Sequence, residues 1–212
     1  LKQAQRLDPT NPHITFTIGT IYLQRVEETY QLLDQEEEQV NVAVQQRFTA
    51  SIAEARRWFE KTLELQPQDA NAPLVLAQLA LREGKTKEAI ASAEQAIKQG
   101  NTSQNLQVQL ALLYEQEEQY ELAMRLYEAV LQNHPRDASP LARYHLAELY
   151  AASGRLEEAL GLLQTLADEF PEEPQVQERV SAIQKELLGH SDTAPGGATN
   201  TTTATVPTST LR

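Results

Sequence analysis

The sequence contains no cysteine, one methionine and one tryptophan, and aromatic residues make up only 6% of its 212 residues. Without cysteine, the chain has no disulfide bond, no thiol nucleophile and no cysteine-ligated zinc, and its redox compartment stays undetermined. No apolar run reaches the roughly 18 residues that a membrane-spanning helix needs. Hydrophobic residues amount to 41% and charged residues to 23%, which is ordinary for a folded chain of one or two domains.

Positive charge is also scarce, because 18 lysines and arginines face 30 aspartates and glutamates, for a formal net charge of −12. Such an excess repels a phosphate backbone, so we expect no nucleic-acid partner. The chain begins at Leu1 rather than methionine. We therefore expect it to be the C-terminal portion of a longer protein, with any targeting signal outside the sequence.

Internal repetition is the main feature that is present. Pro67 and Pro135 stand in similar surroundings 68 residues apart, with Asn101 midway between them. Pro171 lies 36 residues further on, and Pro9 is the matching mark near the start. These marks indicate a period of 34 residues. A repeat of this length determines the whole fold, because each copy packs against the next.

Alignment on these marks shows a shared pattern of small and apolar residues at spacings of 3, 4 and 7, which are helical, and no stretch alternates as a strand does. The first full copy consists of Leu76, Ala77, Ala80, Gly84 and Ala89. The later copies consist of Leu110, Ala111, Tyr114 and Ala123, and of Leu146, Ala147, Tyr150, Gly154 and Ala159. An opening version consists of Ile18, Gly19 and Tyr22.

This pattern resembles the tetratricopeptide repeat (TPR), a helix–turn–helix unit of about 34 residues. The resemblance covers residues 1–188, and a generic helical bundle is the alternative. It implies an all-α fold, a right-handed α-solenoid of antiparallel helix pairs. The physical basis does not depend on the name, since helices approach to about 8–10 Å only where the crossing residues are small. The alanines supply those crossings, and proline or asparagine ends each second helix.

The marks divide the chain into seven segments. They are a partial second helix of a truncated repeat (1–11), an enlarged repeat (12–69), three further repeats (70–103, 104–137 and 138–173), a capping helix (174–188) and a Thr-rich tail (189–212). The capping helix is predicted from one apolar and one polar face. The tail has too little apolar surface to offset its chain entropy, so we expect a disordered terminus, with a glycosylated stalk as the alternative.

The first unit carries an insertion of about 24 residues, because Gly19 and Ala55 are 36 positions apart where a regular unit has 12. We interpret it as both helices lengthened by about 12 residues, which makes a hairpin that projects roughly 18 Å. The acidic run at residues 34–38 would form its turn. A solvated acidic loop, a structural hairpin and a docking arm for a basic partner are the three interpretations left open.

The resemblance implies a partner-binding groove along the first helix of each pair, read at five positions per unit. A peptide held by apolar anchors and amide hydrogen bonds would suit it. The exposed inner wall of a spacer is the alternative. Family members that grip a C-terminal carboxylate use lysine and asparagine at two of these positions, and this chain does not match them. The residues at the groove positions are His13, Phe16, Thr20, Leu23, Gln24, Asn71, Leu74, Gln78, Leu81, Arg82, Asn105, Val108, Leu112, Glu115, Gln116, Leu141, Tyr144 and Glu148.

No pattern predicts catalysis. The four histidines are scattered, and the nearest potential ligand pair, His145 and Glu148, is too small a set for zinc. Phosphate-binding loops, nucleophile elbows and dinucleotide fingerprints do not occur. We therefore expect no catalytic residue, no metal and no cofactor in this segment.

The sequence thus predicts a non-catalytic scaffold that binds a protein or peptide in the groove, with no membrane insertion of its own. A second interpretation rests on another resemblance. The enlarged unit, regular units and closing helix look like the C-terminal repeats of bacterial membrane polysaccharide ligases or polymerases, the O-antigen ligase group, whose catalytic part would lie upstream. Self-association through the exposed N-terminal helix is a third. The compartment stays open between cytoplasm and bacterial cell envelope.

Overall fold

The computed structural model describes residues 10–35 and 42–192, and every regular element in these two ranges is an α-helix. The all-α class predicted from the apolar spacing is confirmed for this part of the chain. The helices are α1 Pro12–Gln35, α2 Val42–Leu65, α3 Ala72–Arg82, α4 Thr86–Lys98, α5 Gln104–Gln116, α6 Tyr120–Asn133, α7 Pro140–Ala152, α8 Leu156–Glu169 and α9 Pro174–Asp192.

The first helix pair is much longer than the pairs that follow. Helices α1 and α2 have 24 residues each, whereas α3 to α8 have between 11 and 14. Pro12 opens α1, where its missing N–H is not needed, and the Asn11 side chain accepts a hydrogen bond from the His13 N–H at 3.0 Å. No proline follows within either helix. The predicted insertion is therefore a lengthening of both helices, and we call residues 25–35 of α1 and 42–53 of α2 the arm.

Small residues occupy the buried centre of the helix pairs, as the spacing predicted. Ala55, Ala89, Ala123 and Ala159 are all fully buried. On the first helix of each pair, Gly19 takes the position that Ala77, Ala111 and Ala147 have in the later pairs. A Cβ added at Gly19 would lie 2.9 Å from the Phe59 ring. The α1–α2 crossing is therefore closer than an alanine would allow without a shift of Phe59.

In three of the helix pairs, the residue two positions after the end of the first helix has a left-handed backbone conformation with positive φ. Gly84 follows α3 with φ 71° and Gly154 follows α7 with φ 80°. After α5, the same place is taken by Glu118 with φ 58°. All three turns close with the same pair of backbone hydrogen bonds, for example from the Lys85 N–H to the Ala80 carbonyl at 2.9 Å. Glycine is favoured at this position because it has no Cβ to disfavour a positive φ. Glu118 adopts the same conformation although it has a Cβ.

The chain forms two compact units, and the boundary falls within α7 between Leu149 and Tyr150. In the first unit, each helix from α1 to α5 packs against the next one along the chain. In the second unit, α9 packs against α8 and Ile183 is fully buried. Arg155 lies over the Tyr150 ring there, 3.7 Å from its centroid.

Some of the sequence predictions fall outside the described residues. These are residues 1–9 of the truncated repeat, residues 36–38 of the acidic turn and residues 193–212 of the tail. Within the described ranges, α9 continues to Asp192 and so passes the end predicted at Leu188. Gly189 lowers helix propensity by about 1 kcal/mol relative to alanine but leaves the backbone hydrogen bonding intact, so it does not end the helix. No described helix has the length and hydrophobicity needed to cross a membrane.

Candidate functional site

The predicted groove positions lie on the first helices of the pairs, α1, α3, α5 and α7, and most of them reach the surface. The half-buried ones are Phe16, Thr20, Leu23, Leu74, Leu112, Glu115, Tyr144 and Glu148. The exposed ones are His13, Gln24, Asn71, Gln78, Leu81, Arg82, Asn105, Gln116 and Leu141. Side chains of both groups could contact a partner.

Val108 is the exception and corrects the prediction of an apolar anchor at that position. Its side chain is only 5% exposed. Helix α5 packs against both α4 and α6, and seven of its 13 residues are buried. Val108 therefore belongs to the core of the first unit.

Phe16 also differs from a free anchor, because it takes part in the packing of the first pair. Its ring meets Phe59 edge-on, with the centroids 5.2 Å apart and the planes at 78°. Such a contact is favourable between aromatic rings. Phe16 is therefore half-buried, and only part of its side chain is available to a partner.

An open cleft of about 540 Å³ lies where the arm meets the groove. Three of its lining residues are predicted groove positions on α3, and three were not predicted. We call it the arm cleft. The lining residues are Glu27 and Tyr30 of α1, Gln78, Leu81 and Arg82 of α3, and Gln109 of α5.

Arg82 of the arm cleft contacts two side chains of the arm. Its Nη2 donates to both carboxylate oxygens of Glu27, at 3.1 Å to Oε1 and 2.9 Å to Oε2. The guanidinium lies 4.1 Å from the centroid of the Tyr30 ring, which is a cation–π geometry. Tyr30 also packs against Phe48 of α2, with the ring centroids 6.0 Å apart. The arm thus holds one cation of the groove in place.

The repeat pattern could not have assigned Glu27, Tyr30 and Gln109 to the site. Glu27 and Tyr30 lie in the arm, where the insertion breaks the 34-residue register that defines the groove positions. Gln109 lies next to a groove position but is not one of the five. One local signal was available, since Glu27 and Tyr30 are three residues apart and must share a helix face.

A second cluster links α5, α6 and α7 through Glu115. The Tyr127 hydroxyl donates to Glu115 Oε1 at 2.6 Å, and His145 Nδ1 lies 3.2 Å from Glu115 Oε2. The Tyr127 and His145 rings stack with centroids 5.9 Å apart. Burial of Tyr127, together with its hydrogen bond to the Glu115 carboxylate, raises the pKa of the phenol. Glu115 is therefore engaged by two side chains of the protein. Its own side chain remains 22% exposed, so its role as a partner contact stays a prediction.

Metal-binding groups do not gather in the part of the chain that the structure describes. No group of three or more histidine, aspartate or glutamate side chains lies close enough together there to hold an ion. His145 contacts Glu115, and Glu148 has interactions of its own.

Comparison with known protein families also finds the repeat pattern in this sequence. Family profiles described as tetratricopeptide repeat match residues 39–104, 80–139 and 114–183. Together they run from residue 39 to residue 183, well over half of the chain. The chain belongs to the TPR family. It is accordingly a protein–protein interaction scaffold, and the TPR fold is typically non-catalytic.

Solved TPR structures share this fold at low sequence identity. MamA (41-end) from Desulfovibrio magneticus RS-1 is 17% identical with a TM-score of 0.58, over 82% of this chain and 88% of that one. YrrB, described as a TPR protein with an unusual peptide-binding site, is 20% identical with a TM-score of 0.57, over 76% of this chain and 84% of YrrB. No curated protein is significantly similar in sequence. At these identities the likeness concerns the fold alone.

Proposed function

We propose that this TPR scaffold binds an extended or helical segment of a partner protein along the groove formed by α1, α3, α5 and α7. The arm cleft carries the proposal, because side chains from three first helices converge there around a space of about 540 Å³. That volume lies in the range of about 300–1,000 Å³ that binding clefts occupy. YrrB, a structural neighbour, has a peptide-binding site, which is consistent with the proposal.

The groove combines apolar and amide side chains in a way that suits a peptide. Leu81 and Leu141 are 38% and 46% exposed, and each can receive an apolar side chain of the partner. The groove also has exposed amides that match the donors and acceptors of a peptide backbone. They are Asn71, Gln78, Asn105 and Gln109.

A charge placed in the groove tests the proposal. Random 16-residue peptides displayed on phage would be selected on the purified chain, and their affinities measured by fluorescence anisotropy. Leu81→Glu should weaken the selected peptides by about tenfold or more, roughly 1.4 kcal/mol, since it puts a charge against an apolar contact. The replacements Leu74→Glu and Tyr144→Glu should act in the same direction.

Leu122 offers a matched control, because it has the same 38% exposure but lies on α6, a second helix. Leu122→Glu should leave peptide affinity within about twofold, and circular dichroism should show both variants folded. If Leu122→Glu weakens binding and Leu81→Glu does not, the site lies on the second helices and the proposal is wrong.

A second proposal concerns what the scaffold belongs to. The lengthened first pair, the regular pairs and the closing helix also resemble the C-terminal repeats of bacterial membrane polysaccharide ligases of the O-antigen ligase group. The reading frame upstream of Leu1 tests this. Several apolar runs of about 20 residues would support it, and further 34-residue units in their place would speak for a free-standing adaptor.

A further inference from the structure

The Glu27–Arg82 ion pair lies inside the arm cleft rather than on an outer surface. Arg82 is the one cation among the described residues that line the cleft. Its side chain is 34% exposed and that of Glu27 is 45% exposed, so both groups are within reach of a bound partner. An ion pair this exposed contributes little stability to the fold. The Glu27–Arg82 ion pair is therefore better explained by a role in binding than by a role in stability.

The geometry of the pair leaves Arg82 only partly used. Both oxygens of Glu27 accept from the same nitrogen, Nη2. The strong arrangement for arginine and carboxylate has two parallel hydrogen bonds from two different guanidinium nitrogens. Nη1 and Nε are free of such bonds within the described ranges. A carboxylate from outside can thus form the two-nitrogen contact that Glu27 does not form.

Further hydrogen-bond donors of the arm cleft also lack partners in the part of the chain that the structure describes. They are the side-chain amides of Gln78 and Gln109 and the hydroxyl of Tyr30. The Tyr30 ring contacts both the Phe48 ring of α2 and the guanidinium of Arg82. Arg82 is therefore oriented before a ligand arrives, which lowers the entropy cost of binding.

We propose that the arm cleft binds the carboxylate side chain of an aspartate or glutamate within the partner peptide, and that this carboxylate displaces Glu27 from Arg82. This rests on the proposed groove function. Glu27 acts as an internal competitor that occupies Arg82 until the partner arrives. When displaced, its half-exposed carboxylate turns into water. Gln78 and Gln109 then bind the peptide backbone beside the acidic residue.

The net charge of −12 does not oppose this contact at physiological salt. The Debye length is then about 8 Å, so charges elsewhere on the chain are largely screened from the cleft. Among the described residues that line the cleft, Glu27 is the one anion. Its displacement removes the nearest repulsion for an incoming carboxylate.

The test compares acidic peptides with their amide counterparts on the wild-type chain and four variants. Phage-displayed peptides fused at their C-termini present no terminal carboxylate, so an acidic residue enriched by selection must act through its side chain. We expect such a residue in peptides selected on the wild-type chain, and a loss of about tenfold in affinity when it is replaced by glutamine or asparagine. Arg82→Gln should erase that difference, and Arg82→Lys should retain part of it.

Glu27→Gln should bind the acidic peptide several-fold more tightly and leave the amide peptide unchanged. Glu28→Gln is the matched control, because Glu28 accepts a hydrogen bond from Gln24 and is not among the residues of the arm cleft. It should alter neither affinity. Synthetic peptides with free and amidated C-termini complete the set, and a requirement for the free terminus would overturn the side-chain assignment.

The outcomes separate this inference from the groove proposal. If groove-dependent peptides bind wild-type protein and their acidic and amide forms bind equally, the carboxylate assignment is wrong and the groove proposal stands. A preference for the acidic form that persists in Arg82→Gln also overturns the assignment. If Leu81→Glu has no effect on any selected peptide, both proposals fail.

Discussion

Single residues at the helix crossings determine how closely the pairs pack, and Gly19 shows this most directly. Gly19→Ala would place a methyl group 2.9 to 3.1 Å from three atoms of the Phe59 ring. Phe59 is fully buried and also contacts Phe16, so it has little room to move. Overpacking should exceed the helix-propensity gain of about 1 kcal/mol. We expect a net loss of about 1–2 kcal/mol in urea unfolding.

Gly161 is the control for that substitution. It lies within α8, is exposed, and an added Cβ would meet nothing within 4 Å. Gly161→Ala should therefore raise the free energy of unfolding by about 0.5–1 kcal/mol. A stabilising Gly19→Ala would show that Phe59 can move and that the α1–α2 crossing does not require glycine.

At the scale of the helical elements, the turn between α5 and α6 has a non-glycine residue in a left-handed conformation that favours glycine. Glu118 adopts φ 58° where the corresponding turns have Gly84 and Gly154. A side chain in this conformation costs about 1 kcal/mol. Glu118→Gly should therefore stabilise the chain by about 0.5–1 kcal/mol in thermal or urea unfolding. Glu117→Gly, one residue earlier with φ −91°, should not stabilise it.

Neighbouring pairs are also joined by charges, which makes their contact sensitive to acid. Arg56 of α2 forms ion pairs with Glu83, after α3, and with Glu88 of α4. Burial tends to raise the pKa of Glu83, but hydrogen bonds and charges from Lys85 and Arg56 outweigh it and hold that pKa below its ordinary value of 4.5. Since the folded-state pKa is the lower one, this stabilisation is present above pH 4.5 and is lost as the pH falls through the folded-state pKa.

Arg56→Gln tests that pH dependence. At pH 7 we expect it to lower the free energy of unfolding by about 1 kcal/mol, because both ion pairs are lost at partly exposed positions. When the pH is lowered far enough to protonate Glu83 in the folded state, the difference between wild type and variant should shrink. Arg57→Gln, at an exposed neighbouring position, should show no such pH dependence. A constant difference at both pH values would contradict the linkage.

At the scale of the whole molecule, the repeat architecture predicts which segments matter for stability. In stacked repeats each unit depends on its neighbours, whereas residues 193–212 consist mainly of threonine, alanine and proline and offer little apolar surface to pack. A chain ending at Asp192 should have the same melting temperature as the full chain, within about 1 °C. A clear drop in calorimetry would show that the tail packs on the repeats.

The predictions from sequence succeeded where the signal was local or strictly repeated. The alanines at the crossings, the glycine turns and the lengthened first pair could all be found by counting positions. Val108 was predicted to be exposed in the groove, but the packing of α5 against α4 and α6 buries it. Arg82 was placed in the groove, but its partners Glu27 and Tyr30 lie in the arm, outside the repeat register.

Helix content, pair order and the TPR family follow from spacings of 3, 4 and 34 residues, which are properties of neighbouring positions in one chain. The contents of the arm cleft depend instead on side chains as much as 82 positions apart, from Glu27 to Gln109. No periodic pattern encodes which of them meet. That is set by the length of α1 and by its packing beside α3, which brings Glu27 and Tyr30 to Arg82.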